Sequence, residues 1–321
     1  MKIFSLKKTI DGRRKLYLFN KKILSYKVSC KYREIYERRF ENNLTSEEIK
    51  YVLEVQYESG MGKKLNLSNP QTFNEKLQWL KFYYRNDLLT KCADKVEARD
   101  YIKEIVGEQY LVPIYGVYDN FNEIDFNKLP KEFLLKVNWG CKQNVLCKNK
   151  TKFNVKNAKE KITTWLSPKK NHYYECFEWQ YKNIKPKIIC EKYIDLKNDG
   201  FLTNYRFFCF NGKFKILVIL LIKNGKIYGN FYDDKLHFLS VKQNYQNKQD
   251  YVPKIANYKK MVEIAEKLSK PFPHVRVDMY ETTDKKIYIG ELTFTNWNGT
   301  VPIEPEEYDY KFGEYLILPK N

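Results

Sequence analysis

A chain of 321 residues can bury a sizeable core as one large domain or two ordinary ones, and 43% hydrophobic and 16% aromatic residues with few Gly and Pro exclude long disordered stretches. Seven cysteines with no CxxC and no Cys/His cluster argue against a zinc site and a disulfide framework; apolar-flanked ones such as Cys190 and Cys209 read as small core residues in a reducing compartment. The net charge of +19 is uneven, since residues 1–40 hold 13 Lys/Arg against 3 Asp/Glu.

In that first segment Ile3, Phe4, Leu6, Ile10, the run Leu16 to Phe19, Ile23 and Leu24 interleave with the basic residues. Two readings stand: docking on an anionic membrane surface, or a solvated basic helix packed on its own domain. No recognised nucleic-acid motif accompanies the charge, so no nucleic-acid partner is expected. Charge interrupts the N-terminus before a signal-peptide apolar run develops, and the longest apolar run, Ile216 to Ile222, suits a buried strand rather than a bilayer span. A cytoplasmic protein is expected, peripheral at the inner membrane face if the first segment docks there.

Helices follow, marked by their caps. Thr45 and Glu48 form a capping box ahead of "IKYVLEVQYES", with Gly60 as the stop, and Thr72 with Glu75 does the same ahead of "KLQWLKFYYRN". "ADKVEARDYIKEIVG" reads as a helix from about Asp94 to Gly107, so the first 110 residues read as mostly helical. Strands then dominate: "EFLLKVNW", "KIICEKYI", "TNYRFFCF", "KFKILVILLI" and "KIYGNFYD" are rich in β-branched and aromatic residues. Asn211-Gly212 and Asn224-Gly225 are type I′ turn signals, which predict an antiparallel meander over about 203–232. "YKKMVEIAEKLSK" is an amphipathic helix stopped by Pro271 and Pro273, and "RVDMYETTDKKIYIGELT" closes the series as a hairpin. The fold class is α+β.

A two-residue turn at Asp284-Lys285 would set Asp278 directly opposite Glu291 on that hairpin, with Arg276 and Thr293 on the same face and Val275, Val277 and Ile289 turned to a core. Opposed carboxylates repel, so something must compensate: a divalent cation, or neighbouring Lys and Arg. Elsewhere, Lys136 stands among Leu134, Leu135 and Val137. It is either a solvated edge residue or a buried cation in want of an anion. The loop after it, with Gly140, Lys142, Gln143 and Asn144, offers amides and polar side chains to phosphates. Lys95 and Arg99 alone suit a solvated helix face, and Arg206 interrupts an otherwise apolar strand. "IICEKYID" fits a hinge strand or a plain core strand. His172, His237 and His274 read as surface or structural residues, and no Ser/His or Cys/His nucleophile is in view.

The stretches "NPQTFNEKLQWLKFYYRNDLLTKCADKVEARDYI", "LPKEFLLKVNWG", "FEWQYKNIKPKIICEKYI", "NYRFFCFNGKFK" and "VRVDMYETTDKKIYIGELTFT" occur in an order that resembles the TupA-like family of ATP-grasp proteins, over about residues 65–319. That resemblance implies an ATP-grasp fold with a mostly helical N-terminal part and antiparallel sheets binding ATP between two lobes. The domains would be a basic extension over 1–60, a helical part over 61–130 and the lobes over 131–321. It implies that Lys95 and Lys136 contact ATP, that the loop 138–144 with Gly140, Lys142 and Asn144 is the phosphate lid, and that Glu191, Lys192, Tyr193 and Ile194 form the adenine linker. Asp278 and Glu291 would bind Mg2+, with Thr293 standing where the family usually has Asn, while Arg206 and Arg276 would stabilise the transferred phosphate. The implied activity is an ATP- and Mg2+-dependent carboxylate–amine ligase of surface-polysaccharide (capsule or O-antigen) synthesis, joining a carboxylated sugar precursor to an amino acid or small amine. A kinase or sugar transferase acting on a hydroxyl, and a non-enzymatic basic binding module, are the alternatives.

Overall fold

The computed structural model describes residues 4–8, 13–18, 21–27, 30–198 and 200–320. The chain divides into two compact units, Met1–Tyr84 with Trp297–Glu314, and Arg85–Asn296 with Tyr315–Asn321.

The first unit opens with β1 (Phe4–Lys8), β2 (Arg13–Leu18) and β3 (Lys21–Lys27), an antiparallel three-stranded sheet. This corrects the helical expectation for these strands of the basic segment, while its residues 30–37 are helical. Phe4 and Leu6, and again Leu16 and Leu18, recur at period two, which is a strand's period and not a helix's. Then come α1 (Cys30–Glu37), α2 (Ser46–Met61) and α3 (Phe73–Tyr83). Both expected capping boxes are present, at Thr45/Glu48 and Thr72/Glu75. The stop of α2 is Gly62, at φ 75°, rather than Gly60. Gly60 lies inside the helix, where a Cβ would come within 2.2 Å of the Thr300 carbonyl oxygen, so it is a packing glycine and not a cap.

The second unit begins with α4 (Asp87–Ala93) and α5 (Ala98–Ile105). The helix expected from Asp94 starts four residues later, because the Asp94 side chain accepts from Val96 N–H and holds 94–97 as a turn. β4 (Ile114–Tyr118), β5 (Phe133–Val137), β6 (Asn144–Cys147), α6 (Val155–Trp165), α7 (His172–Cys176) and β7 (Ile188–Lys192) follow, and the strands form an antiparallel sheet of order β4-β7-β5-β6. The larger sheet is built from β8 (Lys197–Asn198), β9 (Phe201–Phe210), β10 (Lys213–Lys223), β11 (Lys226–Asp233), β12 (Phe238–Leu239), β13 (His274–Glu281) and β14 (Ile287–Thr293), in the order β12-β11-β10-β9-β13-β14 with β8 beside β9. Both Asn-Gly turns have positive φ at each central residue, as a type I′ turn requires.

Register divides the large sheet into two faces. Phe207 pairs with Leu217 and with Val277, and all three are fully buried. Helix α8 (Tyr258–Ser269) covers this face with Met261, Ile264, Ala265 and Leu268, the i, i+3, i+4, i+7 stripe of its sequence. Each such large aliphatic side chain contributes about 1.5–3 kcal/mol. The opposite face carries Arg206, Arg276 and Asp278.

Residues 297–314 return to the first unit and end in α9 (Glu307–Tyr315). There Asp309 accepts from the Asn74 backbone and side-chain N–H groups, both at 3.0 Å, and Gly313 O accepts from Lys76 Nζ at 2.8 Å. These contacts group residues 297–314 with α3, and the compact units divide at 84/85, 296/297 and 314/315. Among the described residues no helix is long and apolar enough to cross a membrane.

Candidate functional site

The site grows from the β13–β14 hairpin. Asp278 does pair with Glu291, as expected, but through two features that offset each other. The turn is not the two-residue Asp284-Lys285 connection. Thr282 and Lys286 close a longer loop, with Lys285 at φ 63°, and near the turn the partners are Glu281 and Ile287, Tyr280 and Tyr288, Met279 and Ile289. A bulge at Gly290 then adds one residue to β14 and restores the Asp278–Glu291 pairing. Glycine is needed there because a Cβ would lie 2.6 Å from the Tyr280 ring. The bulge also lets Ile289 stay in the core while Glu291 faces the site, although both carry odd numbers.

Neighbouring cations compensate the two carboxylates. Arg276, 5% exposed, forks onto Asp278 with Nε to Oδ1 at 2.6 Å and Nη2 to Oδ2 at 2.8 Å. Its Nη2 also reaches Glu291 Oε1 at 3.2 Å, and Nη1 donates to Asn296 Oδ1 at 2.7 Å. Arg206 is brought beside Asp278 by the β9–β13 register, 3.5 Å from Oδ2, and is steadied by Asn204. Lys95 approaches Glu291 Oε2 at 3.3 Å and donates to Gly140 O at 2.9 Å, tying the loop after β5 to the carboxylate. Three cations thus surround two carboxylates, and the local field is attractive where sequence alone suggested repulsion. Burial would raise the Glu291 carboxyl, but Lys95, Arg276 and Arg206 outweigh it and hold it down to about 2. Burial pushes the Asp278 carboxyl up while the two guanidiniums pull it back. The Arg276 guanidinium is desolvated too, and Asp278 more than offsets this, keeping it charged.

A second ion pair lies next to the first. Lys136 and Glu191 meet at 2.7 Å across β5 and β7, with side chains 15% and 7% exposed. The anion wanted by the buried lysine is therefore Glu191. A small cavity lined by Lys95, Arg99, Lys136, Glu191 and Glu291 joins this pair to the carboxylates. Arg99 is half-buried and donates to Val112 O, so it is not on a solvated face.

Other expected residues stand further out. Lys142, at φ 57°, reaches the Tyr245 hydroxyl at 3.2 Å, and Asn144 is exposed at the start of β6. In the loop between them and β5, Asn138 is fully buried, binding Asp94 Oδ2 and Lys185 O, so it anchors the loop. Lys192 donates its backbone N–H to Pro113 O; Tyr193 lies under Lys148, and Ile194 is half-buried. Thr293 donates to Glu291 Oε1 at 3.3 Å.

Sequence reasoning missed Asn296 and Gln243. Asn296 is 1% exposed, receives Arg276 and donates to Gln243 Oε1 at 2.8 Å. Nothing local in the sequence marks either residue, because they meet only when the segment around 243 folds against the end of β14. His172 also lies in the field of Lys95 and Glu291; burial, then Lys95, brings its imidazole down to about 4, so it is neutral at pH 7. His274 is structural, with Nδ1 against Cys209 O at 2.9 Å.

The donor set suits a hard divalent cation in one respect: Asp278 and Glu291 offer carboxylate oxygens, with the Thr293 hydroxyl and the Asn296 amide oxygen beside them. Among the described residues no group of three or more His, Cys, Asp or Glu side chains is placed to hold a metal alone. Two carboxylates plus phosphate oxygens is a usual Mg2+ arrangement, and the residues fit that case.

A family described as TupA-like ATPgrasp matches residues 75–317. The chain belongs to that family. Its α+β fold, with two antiparallel sheets in the second unit, is the ATP-grasp fold. Similar solved structures include an ADP complex of purK, N5-carboxyaminoimidazole ribonucleotide synthetase, at 14% identity and TM-score 0.42 over 83% of this chain and 58% of that one. D-alanine–D-alanine ligase from Bacillus anthracis, complexed with ATP, is 14% identical with TM-score 0.36, over 64% of this chain and 57% of that one. L-amino acid ligase from Bacillus licheniformis is 16% identical with TM-score 0.39, over 65% and 44%. The TupA-like chain therefore spans about half the length of these proteins. No curated protein matches it.

Proposed function

We propose that this protein is an ATP- and Mg2+-dependent carboxylate–amine ligase. The observation that carries the reading is the cluster of Lys95, Arg206 and Arg276 around Asp278 and Glu291, beside the Lys136–Glu191 pair. Bound Mg–ATP would supply the phosphoryl group that activates a carboxylate for attack by an amine. Lys95 and Lys136 bind the phosphates, under the loop 138–144 with Gly140, Lys142 and Asn144. Backbone groups of Glu191, Lys192, Tyr193 and Ile194 orient the base. Asp278, Glu291 and Thr293 hold the metal. Arg206 and Arg276 stabilise negative charge on the moving phosphoryl, an electrostatic task that needs no protein nucleophile. The substrate in this reading belongs to surface polysaccharide: a carboxylated sugar precursor joined to an amino acid or small amine. The basic residues 1–40 would hold the protein on the inner membrane face near such a precursor.

The test is ADP release by the purified protein with Mg–ATP, a uronic acid donor and an amine mixture, with mass spectrometry for an amide. Release that needs a hydroxyl acceptor and gives no amide would identify a kinase or sugar transferase instead. Failure to bind ATP with a Mg2+ requirement would leave a basic binding module. Asp278→Asn and Glu291→Gln should each abolish turnover, and wild-type activity in either sinks the metal assignment.

A further inference from the structure

The geometry points to Arg276 as a guard on the carboxylate pair: it closes Asp278 and Glu291 to a free divalent cation, and the metal enters only with a polyphosphate that draws the guanidinium away. This rests on the assignment of that pair as the metal site.

Each carboxylate oxygen already has a cationic partner. The Arg276 fork covers both oxygens of Asp278, Arg206 stands 3.5 Å from Oδ2, and Arg276 and Lys95 divide the oxygens of Glu291. Three positive and two negative groups leave the cluster with a net single positive charge. A bare dication would have to enter a site that repels it and displace charge-assisted hydrogen bonds of 2.6 and 2.8 Å. A metal–polyphosphate complex carries net negative charge, so it is attracted to the same cluster, and its oxygens are new acceptors for the displaced N–H groups. Asn296 gives the guanidinium a pivot, because Nη1 is bound on the side away from Asp278, and Asn296 is itself fixed by Gln243. The side chain can then leave Asp278 without leaving the site.

Equilibrium dialysis with Mn2+ tests this without reference to activity. Wild type should retain at least tenfold less Mn2+ when the metal is added alone than when tripolyphosphate or ADP accompanies it. Arg276→Met should retain Mn2+ alone at least tenfold better than wild type, and Arg276→Met/Asp278→Asn should lose that gain. Arg276→Lys keeps a cation but no fork and should fall between them, which covers the case in which the methionine variant does not fold. Wild type that takes up Mn2+ alone as well as folded Arg276 variants do would overturn the guard. Retention of Mn–ADP that is indifferent to Asp278→Asn would instead overturn the underlying metal assignment.

Discussion

Glu191→Gln removes the anion from Lys136 and leaves an ammonium in a site where its side chain is only 15% exposed. At 2.7 Å the pair's attraction is about 6 kcal/mol for an effective dielectric of about 20, and the desolvation of both groups offsets part of it. Breaking such a pair from one side costs about 3–5 kcal/mol, which for a unit of this size lowers the melting temperature by roughly 6–20 °C. Replacing both partners, as in Lys136→Met/Glu191→Met, should return to within about 1 kcal/mol of wild type, since no unpaired charge remains. Nucleotide separates this from generic damage. Phosphate oxygens can take the place of the Glu191 carboxylate, so ATP should stabilise Glu191→Gln more than it stabilises wild type, and Lys136→Met less. Urea denaturation with and without Mg–ATP measures all four proteins. A loss below about 1 kcal/mol in Glu191→Gln, or equal ATP stabilisation of both single variants, would refute the reasoning.

Glu291 is held down to about 2 against an ordinary 4.5, so its contribution of about 3 kcal/mol is fully present above pH 4.5 and is lost as the pH falls towards 2. The stability gap between wild type and Glu291→Gln should therefore narrow in urea melts between pH 5 and pH 3, and a constant gap would contradict the field of Lys95, Arg276 and Arg206. Gly290→Ala drives a methyl into the Tyr280 ring and should cost about 1–3 kcal/mol, measured by the same melts. Deleting residues 1–40 should abolish salt-sensitive binding to phosphatidylglycerol vesicles, with each basic residue near the surface worth about 1 kcal/mol, while ATP binding by calorimetry survives. Co-sedimentation that persists in the truncated protein would place the membrane contact elsewhere.

What could be read from the sequence was the chemistry that acts over three or four residues. Thr45, Thr72 and the two Asn-Gly turns specify their local backbone by side-chain hydrogen bonding or tolerance of positive φ, and each stands where it was expected. Gly60 misled because a glycine needed for close approach to Thr300 looks the same, in sequence, as a glycine needed for a cap. The Asp278–Glu291 pairing was legible although the turn was not, because the longer loop and the Gly290 bulge offset each other. The state of that pair was legible only as alternatives, a divalent cation or neighbouring Lys and Arg, and not as the particular cations that meet it. Arg276 can fork onto Asp278 from its own strand, but Lys95, Arg206 and Asn296 join only once distant segments are in place.

Gly290 makes β14 a strand of two phases spliced at a single residue. Before it, Ile287 and Ile289 keep step with the core; after it, Glu291 and Thr293 keep step with the site. Removing that one residue would leave every remaining side chain on its present face, since Ile289 would still pair with Met279 and Glu291 with Asp278. Removing Tyr288 instead would let the ladder absorb the bulge and turn Ile289 outward among the cations. Length variation in this hairpin is thus tolerable at one position and ruinous at its neighbours, and homologous chains that lack the residue would still present both carboxylates to the same side.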